Sequence, residues 1–153
     1  MRVFYFAYGS NMDKNRMVNR GVKIFSEDIA VVKGWKLVFN KRATSDKGVG
    51  YANIIPDKNS EVYGVIYEIE EADILKLDNY EGYPNHYNRQ LIPVLILKNK
   101  KEVKAQVYIA QKNMTDDSLK PSSGYMKYLI DGAKQHNFPL KYIEFLERIE
   151  VIG

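Results

Sequence analysis

A chain of 153 residues, 45% of them hydrophobic and 27% charged, has the size and composition of one ordinary globular domain with a sizeable core. The absence of cysteine excludes disulfides, thiolate catalysis and cysteine-bound zinc, and agrees with a reducing, cytoplasmic setting. The formal charge of +4 lies largely in scattered lysines, no apolar run is long enough to span a membrane, and Val3–Ala7 is too short for the core of a signal peptide.

In chain order, the apolar segment Val3–Ala7 predicts a first strand that stops at Tyr8-Gly9-Ser10-Asn11. Ser10 and Asp13 have the spacing of a capping box, which predicts a short helix starting at Ser10 and running through Val18. Asp28–Asn40 reads as one or two strands with a turn or bulge at Lys33-Gly34. Tyr51–Ile55 reads as a strand ended by Pro56, and Glu61–Ile69 as the next. The period then changes: Ile74, Leu77 and Tyr80 share a helical face, and Gly82 supplies the stop. Gln90–Leu97 and Glu102–Ala110 form a hairpin through Lys98–Lys101, whose lysines suit a solvated turn and offer at most weak attraction to acidic partners. Ser122 or Ser123 caps a helix with Tyr125, Tyr128, Leu129, Gly132 and Ala133 on one face. Asn137-Phe138-Pro139 breaks it before a last helix carrying Tyr142, Ile143, Phe145, Leu146 and Ile149. Contiguous strands with a late hairpin predict an α+β domain on a mixed or partly closed sheet, spanning residues 1–153 as one unit.

Three places could carry chemistry. A strand that runs through Gly9 into a helix start leaves several N–H groups unpaired, and these can hold a carboxylate, a phosphate or a developing oxyanion. The same residues also suit a plain turn with a serine cap. Glu81 stands between Tyr80 and Tyr83, where aromatic surroundings would raise a carboxyl toward the range of acid–base work; an exposed residue at a helix end is the simpler reading. Tyr125 starts the apolar face of its helix and by itself reads as core. His86 and His136 are far apart in sequence, so no histidine-rich metal site is expected, and no nucleic-acid signature with interleaved aromatics is present.

The blocks "FYFAYGSNM", "EVYGVIYEI…LDNYEG" and "PSSGYMKYLIDGAKQHNFPLKYIEFL" occur in the order and spacing of one family, and over nearly its whole length the chain resembles a gamma-glutamylcyclotransferase. The resemblance implies a small mixed β-barrel flanked by helices, with no metal and no cofactor. It also implies a γ-glutamyl group cradled by Tyr5, Phe6, Ala7, Tyr8, Gly9, Ser10 and Asn11, a catalytic carboxylate at Glu81 and a substrate contact at Tyr125. The family's Gly-Leu-Pro before the last helix reads Asn137-Phe138-Pro139 here, and asparagine tolerates left-handed geometry. Ser10-Asn11 is similar to the branch acting on γ-glutamyl amino acids and to relatives that remove a γ-glutamyl protecting group. The Ser-Leu and Thr-Leu branches act on glutathione and on γ-glutamylamines.

The implied reaction is attack of the substrate's own α-amine on its γ-carbonyl, releasing 5-oxoproline and an amine with Glu81 as acid and base. A homodimer is compatible with the tyrosine-rich sequence. The alternatives are a binding or interaction protein of the same fold without turnover, and a weak nucleic-acid binder working through the lysine hairpin.

Overall fold

The computed structural model of the chain describes residues 1–152. Strands β1 (Arg2–Ala7), β2 (Ile24–Arg42), β3 (Gly50–Glu70), β4 (Tyr87–Ile96) and β5 (Lys101–Ala110) close into a barrel in the order β1-β3-β2-β4-β5. Neighbours run antiparallel except β1 and β5, which meet in parallel at Tyr5 and Gln106, so the barrel is mixed. Helices α1 (Lys14–Asn19), α2 (Ile74–Glu81), α3 (Ser123–Gln135) and α4 (Leu140–Glu147) flank it. This is the α+β barrel the sequence predicts. Among the described residues no helix is long and apolar enough to cross a membrane.

The inner half of β1 is the reason the barrel closes. Tyr5, Phe6 and Ala7 are buried, and β1 lies between β3 and β5 with Phe6 opposite Ile66 and Ala7 opposite Val65. Fully buried Val62, Val65, Tyr67, Ile69, Ala105 and Val107 complete the interior from both sides.

Two expectations are corrected here. Pro56 does not end a strand: β3 continues through it, with Pro56 opposite Trp35. The ladder steps from Lys33↔Glu61 to Trp35↔Pro56, so residues 57–60 form an excursion opposite Gly34. The Asp57 carboxylate holds that excursion, accepting from Asn59 N and Ser60 Oγ at 3.0 Å each. An irregular ladder tolerates a residue with no N–H to give. The helix start is also displaced. Ser10–Met12 is a 3₁₀ turn, and the cap of α1 is Asp13, whose side chain accepts from Asn15 N at 2.9 Å.

A second irregularity lies at the end of β2. The pairing passes from Val38↔Asn53 to Lys41↔Tyr51, so Phe39 and Asn40 together face Ala52. Such bulges bend a strand and re-aim the residues beyond them. Lys41 follows the bulge and is only 3% exposed.

The helices are capped as local chemistry dictates. Ser122 accepts from Tyr125 N at 3.1 Å to start α3, which buries Met126, Leu129 and Ala133. Tyr128, expected on that apolar face, is exposed instead, and the Arg16 guanidinium stacks over its ring. Asn137 takes the left-handed conformation, φ 56°, between α3 and α4.

Candidate active site

A cavity of about 550 Å³ opens at one end of the barrel. Its lining brings together most of the residues singled out from sequence: Tyr5, Phe6 and Tyr8 from β1 and its end, Gly9, Ser10 and Asn11 from the following turn, Glu81 from α2 and Tyr125 from α3. Ala7 is buried and does not line the cavity.

The turn is held from behind. The Tyr67 hydroxyl donates to Asn11 O at 2.7 Å. The Asn11 side chain is spent on the scaffold: its Nδ2 donates to the Tyr5 hydroxyl and its Oδ1 accepts from Arg20 Nη1, both at 3.0 Å. Because the Tyr5 oxygen accepts that bond, its own hydrogen is left for a group in the cavity. Main-chain N–H groups of Gly9, Ser10 and Asn11 donate to no backbone acceptor among the described residues. Gly9 also sets the position of Tyr125: a Cβ there would stand 3.1 Å from Ala52 Cβ and 3.2 Å from the Tyr125 hydroxyl. That hydroxyl accepts from Ala52 N at 3.1 Å and hydrogen-bonds the Ser10 side chain. Burial pushes its pKa up to about 12, so it is a neutral hydrogen-bonding group.

Glu81 is the last residue of α2, and Gly82 follows in the left-handed conformation at φ 65°. A Cβ at Gly82 would also lie 2.7 Å from His86 Cδ2, so the helix stop and the packing of His86 require the same residue. The Glu81 side chain is half-buried and faces the cavity. Burial pushes its pKa above the ordinary glutamate value, and the nearby Arg20, Arg16 and Lys41 partly oppose that. The negative end of α2 works in the same direction as burial. Among the described residues Glu81 makes no salt bridge within 4.0 Å.

Three cations of the site escaped the sequence reading. Arg16 and Arg20 are one turn apart on and just after α1, and both line the cavity; Arg20 stacks over Tyr80 as Arg16 does over Tyr128. The i, i+4 spacing of two arginines was the available signal. Lys41 reaches the cavity from β2, with Nζ donating to Arg42 O at 2.7 Å. Tyr87 is also in the wall, its hydroxyl donating to Ala52 O at 2.7 Å. The lysine hairpin lies elsewhere, and its Lys98 pairs with Asp28 at 3.1 Å.

A pocket with an unpaired carboxyl, free amides and several cations can hold a small anion beside a proton-transfer group. Known proteins share the sequence pattern and the fold. The sequence profile described as "Gamma-glutamyl cyclotransferase, AIG2-like" matches residues 5–127. Proteins named gamma-glutamylcyclotransferase from Bos taurus and Homo sapiens are each 29% identical over 150 residues, covering 95% of this chain and 78% of theirs. A solved structure titled "Gamma-glutamyl cyclotransferase" superimposes with a TM-score of 0.87 at 28% identity, covering 100% of this chain and 90% of the other. On the profile match across most of its length, the chain belongs to the gamma-glutamyl cyclotransferase, AIG2-like family.

Proposed function

We propose that the chain is a gamma-glutamylcyclotransferase that cleaves a γ-glutamyl amide by intramolecular aminolysis, with Glu81 as the proton-transfer group. The observation that carries this reading is the meeting of the Gly9–Asn11 turn and the Glu81 carboxyl in one cavity. The relatives' names supply the reaction class.

The chemistry follows from the substrate. Its α-amine nitrogen attacks its own γ-carbonyl carbon, the five-membered lactam closes, and the bond from that carbon to the departing nitrogen breaks. Holding the glutamyl chain folded lowers the barrier by several kcal/mol, with well-oriented intramolecular cases reaching about 7–11. An amine is mostly protonated near neutrality, so Glu81 takes a proton from it and returns one to the departing nitrogen. A carboxyl with a raised pKa suits both steps better than an ordinary one. No enzymatic nucleophile is required. Tyr5, Phe6, Tyr8, Gly9, Ser10 and Asn11 form the cradle, with Ala7 acting through the buried strand. The turn amides and Arg20 favour negative charge on the substrate, and the Tyr125 hydroxyl adds a neutral hydrogen-bonding group beside Ser10. A cytoplasmic location agrees with the lack of cysteine, and pairing into a homodimer agrees with the exposed rings of Tyr80, Tyr83 and Tyr128.

Incubation with a panel of γ-glutamyl compounds, followed by mass spectrometry of 5-oxoproline, tests the reading. Wild type releases the lactam from at least one member and the Glu81→Gln variant does not. A variant that binds substrate and turns it over at a near-normal rate removes Glu81 from the mechanism, and a wild type inert to the whole panel favours a binding protein of the same fold.

A further inference from the structure

We infer that Lys41 is the residue that reads the departing half of the substrate, by pairing with a carboxylate on the amine that leaves. This rests on the cyclotransferase reading and names what that reading leaves open, the leaving group.

Lys41 is an unusual lysine. It is 3% exposed, follows the bulge at Phe39 and Asn40, and lines the cavity between the rings of Tyr51 and Tyr87, with Nζ 5.8 Å and 5.6 Å from their centroids. Burying a cation without a counter-charge is costly. Yet no carboxylate lies within 4.0 Å of its Nζ among the described residues. An ammonium has three donors, and one is used on Arg42 O. The Arg42 side chain itself turns away to Asn113 O at 2.6 Å. The protein therefore keeps an ammonium with spare donors facing the cavity, a site that an anionic ligand would complete.

The cavity has two separate positive poles. Arg16 and Arg20 influence each other, and Arg20 is tied to the turn through Asn11. Lys41 enters the cavity from the end of β2, between Tyr51 and Tyr87, and Arg16 and Arg20 enter it from α1 and the residue after it. Glu81 lines the same cavity from the end of α2. A γ-glutamyl compound whose leaving amine carries a carboxylate has two negative groups on opposite sides of the scissile amide. Its glutamyl carboxylate belongs at the turn and arginine pole, beside the amides. The remaining carboxylate is then left for the spare donors of the Lys41 ammonium.

The test compares two substrates that differ only in that carboxylate: γ-glutamylalanine and γ-glutamylethylamide. Lactam release is measured for wild type, Lys41→Met and Lys41→Arg, with thermal melts to show that each variant is folded. Wild type is expected to prefer γ-glutamylalanine at least tenfold in kcat/KM. Lys41→Met should reduce that preference tenfold or more, chiefly through KM, and Lys41→Arg should restore part of it. An unchanged ratio, or an equal fall for both substrates through kcat, overturns the assignment; the latter would make Lys41 part of the chemistry. Calorimetric titration of both compounds into Glu81→Gln separates the two levels. If wild type releases lactam from neither substrate, the cyclotransferase reading fails, whereas equal affinities in the titration sink the role of Lys41 alone.

Discussion

Asp78 and Glu81 lie one turn apart on α2, and the fold treats them in opposite ways. Asp78 is buried and saturated: its carboxylate accepts from Arg89 Nε at 2.8 Å, Arg89 Nη2 at 3.0 Å and the Tyr108 hydroxyl at 2.7 Å. A bidentate guanidinium and a phenol leave it little capacity for anything else. Glu81 is half-buried, has no such partners and opens into the cavity. Two carboxylates on one short helix thus separate into a fastener and an available group. What distinguishes them is whether the surrounding protein has satisfied their oxygens, more than how deep they lie.

Neutralising each carboxyl should break the comparison in a different quantity. Glu81→Gln is expected to lower 5-oxoproline formation by about 10²–10⁴-fold, the range for loss of a positioned acid–base group, with folding intact. Asp78→Asn removes a charge from a buried pair and should cost about 3 kcal/mol in chemical denaturation. Equal losses of activity with no loss of stability in Asp78→Asn would mean that the pair serves the reaction as much as the fold.

The pH dependence of stability separates them further. A carboxyl whose pKa is raised in the folded state destabilises that state once it ionises. Below the ordinary glutamate value of 4.5 both folded and unfolded chains carry the proton, so Glu81 and a glutamine in its place should be equivalent there. As pH rises through 4.5 the unfolded chain ionises first and wild type loses ground. The loss is complete once pH passes the raised value of the folded state. Thermal melts from pH 4 to 8 should therefore show Glu81→Gln gaining on wild type with rising pH; a variant that loses ground instead would mean that the cations around Glu81 outweigh its burial.

What the sequence made legible was whatever local chemistry decides. The strand into Tyr8-Gly9, the left-handed stop at Gly82, the hairpin through Lys98–Lys101 and the serine cap before Tyr125 each depend on a few adjacent residues. Ser10 misled because it fits a capping box as well as Asp13 fits a cap, and the tight turn over Gly9 decided between them. Pro56 misled because a proline stops a regular ladder but not one that already bulges. The turn that enters the cavity could be located because its residues are contiguous. Arg16, Arg20 and Lys41 could not, since only closure of the barrel and docking of α1 bring them to Glu81. Tyr125 reads as core from its helix alone, and its place in the wall depends on Gly9 and Ala52, far off in sequence.

The finest test of the comparison is Tyr108→Phe, which removes one bond from Asp78 and nothing from Glu81. The ring should stay in place, because it packs edge-on against Tyr5 with centroids 5.8 Å apart, and because the Tyr8 hydroxyl is held by the main-chain carbonyl of residue 108. Arg89 still grips both carboxylate oxygens, so the loss should be that of a single net hydrogen bond, about 1 kcal/mol. Tyr108 also lines the cavity, which gives the variant its discriminating power. If Asp78 is only a fastener, denaturation shifts by that amount and the pH profile of lactam release keeps its shape. If the profile moves, the bond from Tyr108 to Asp78 reaches the chemistry through the wall of the site, and the division between the two carboxylates of α2 is less clean than their partners imply.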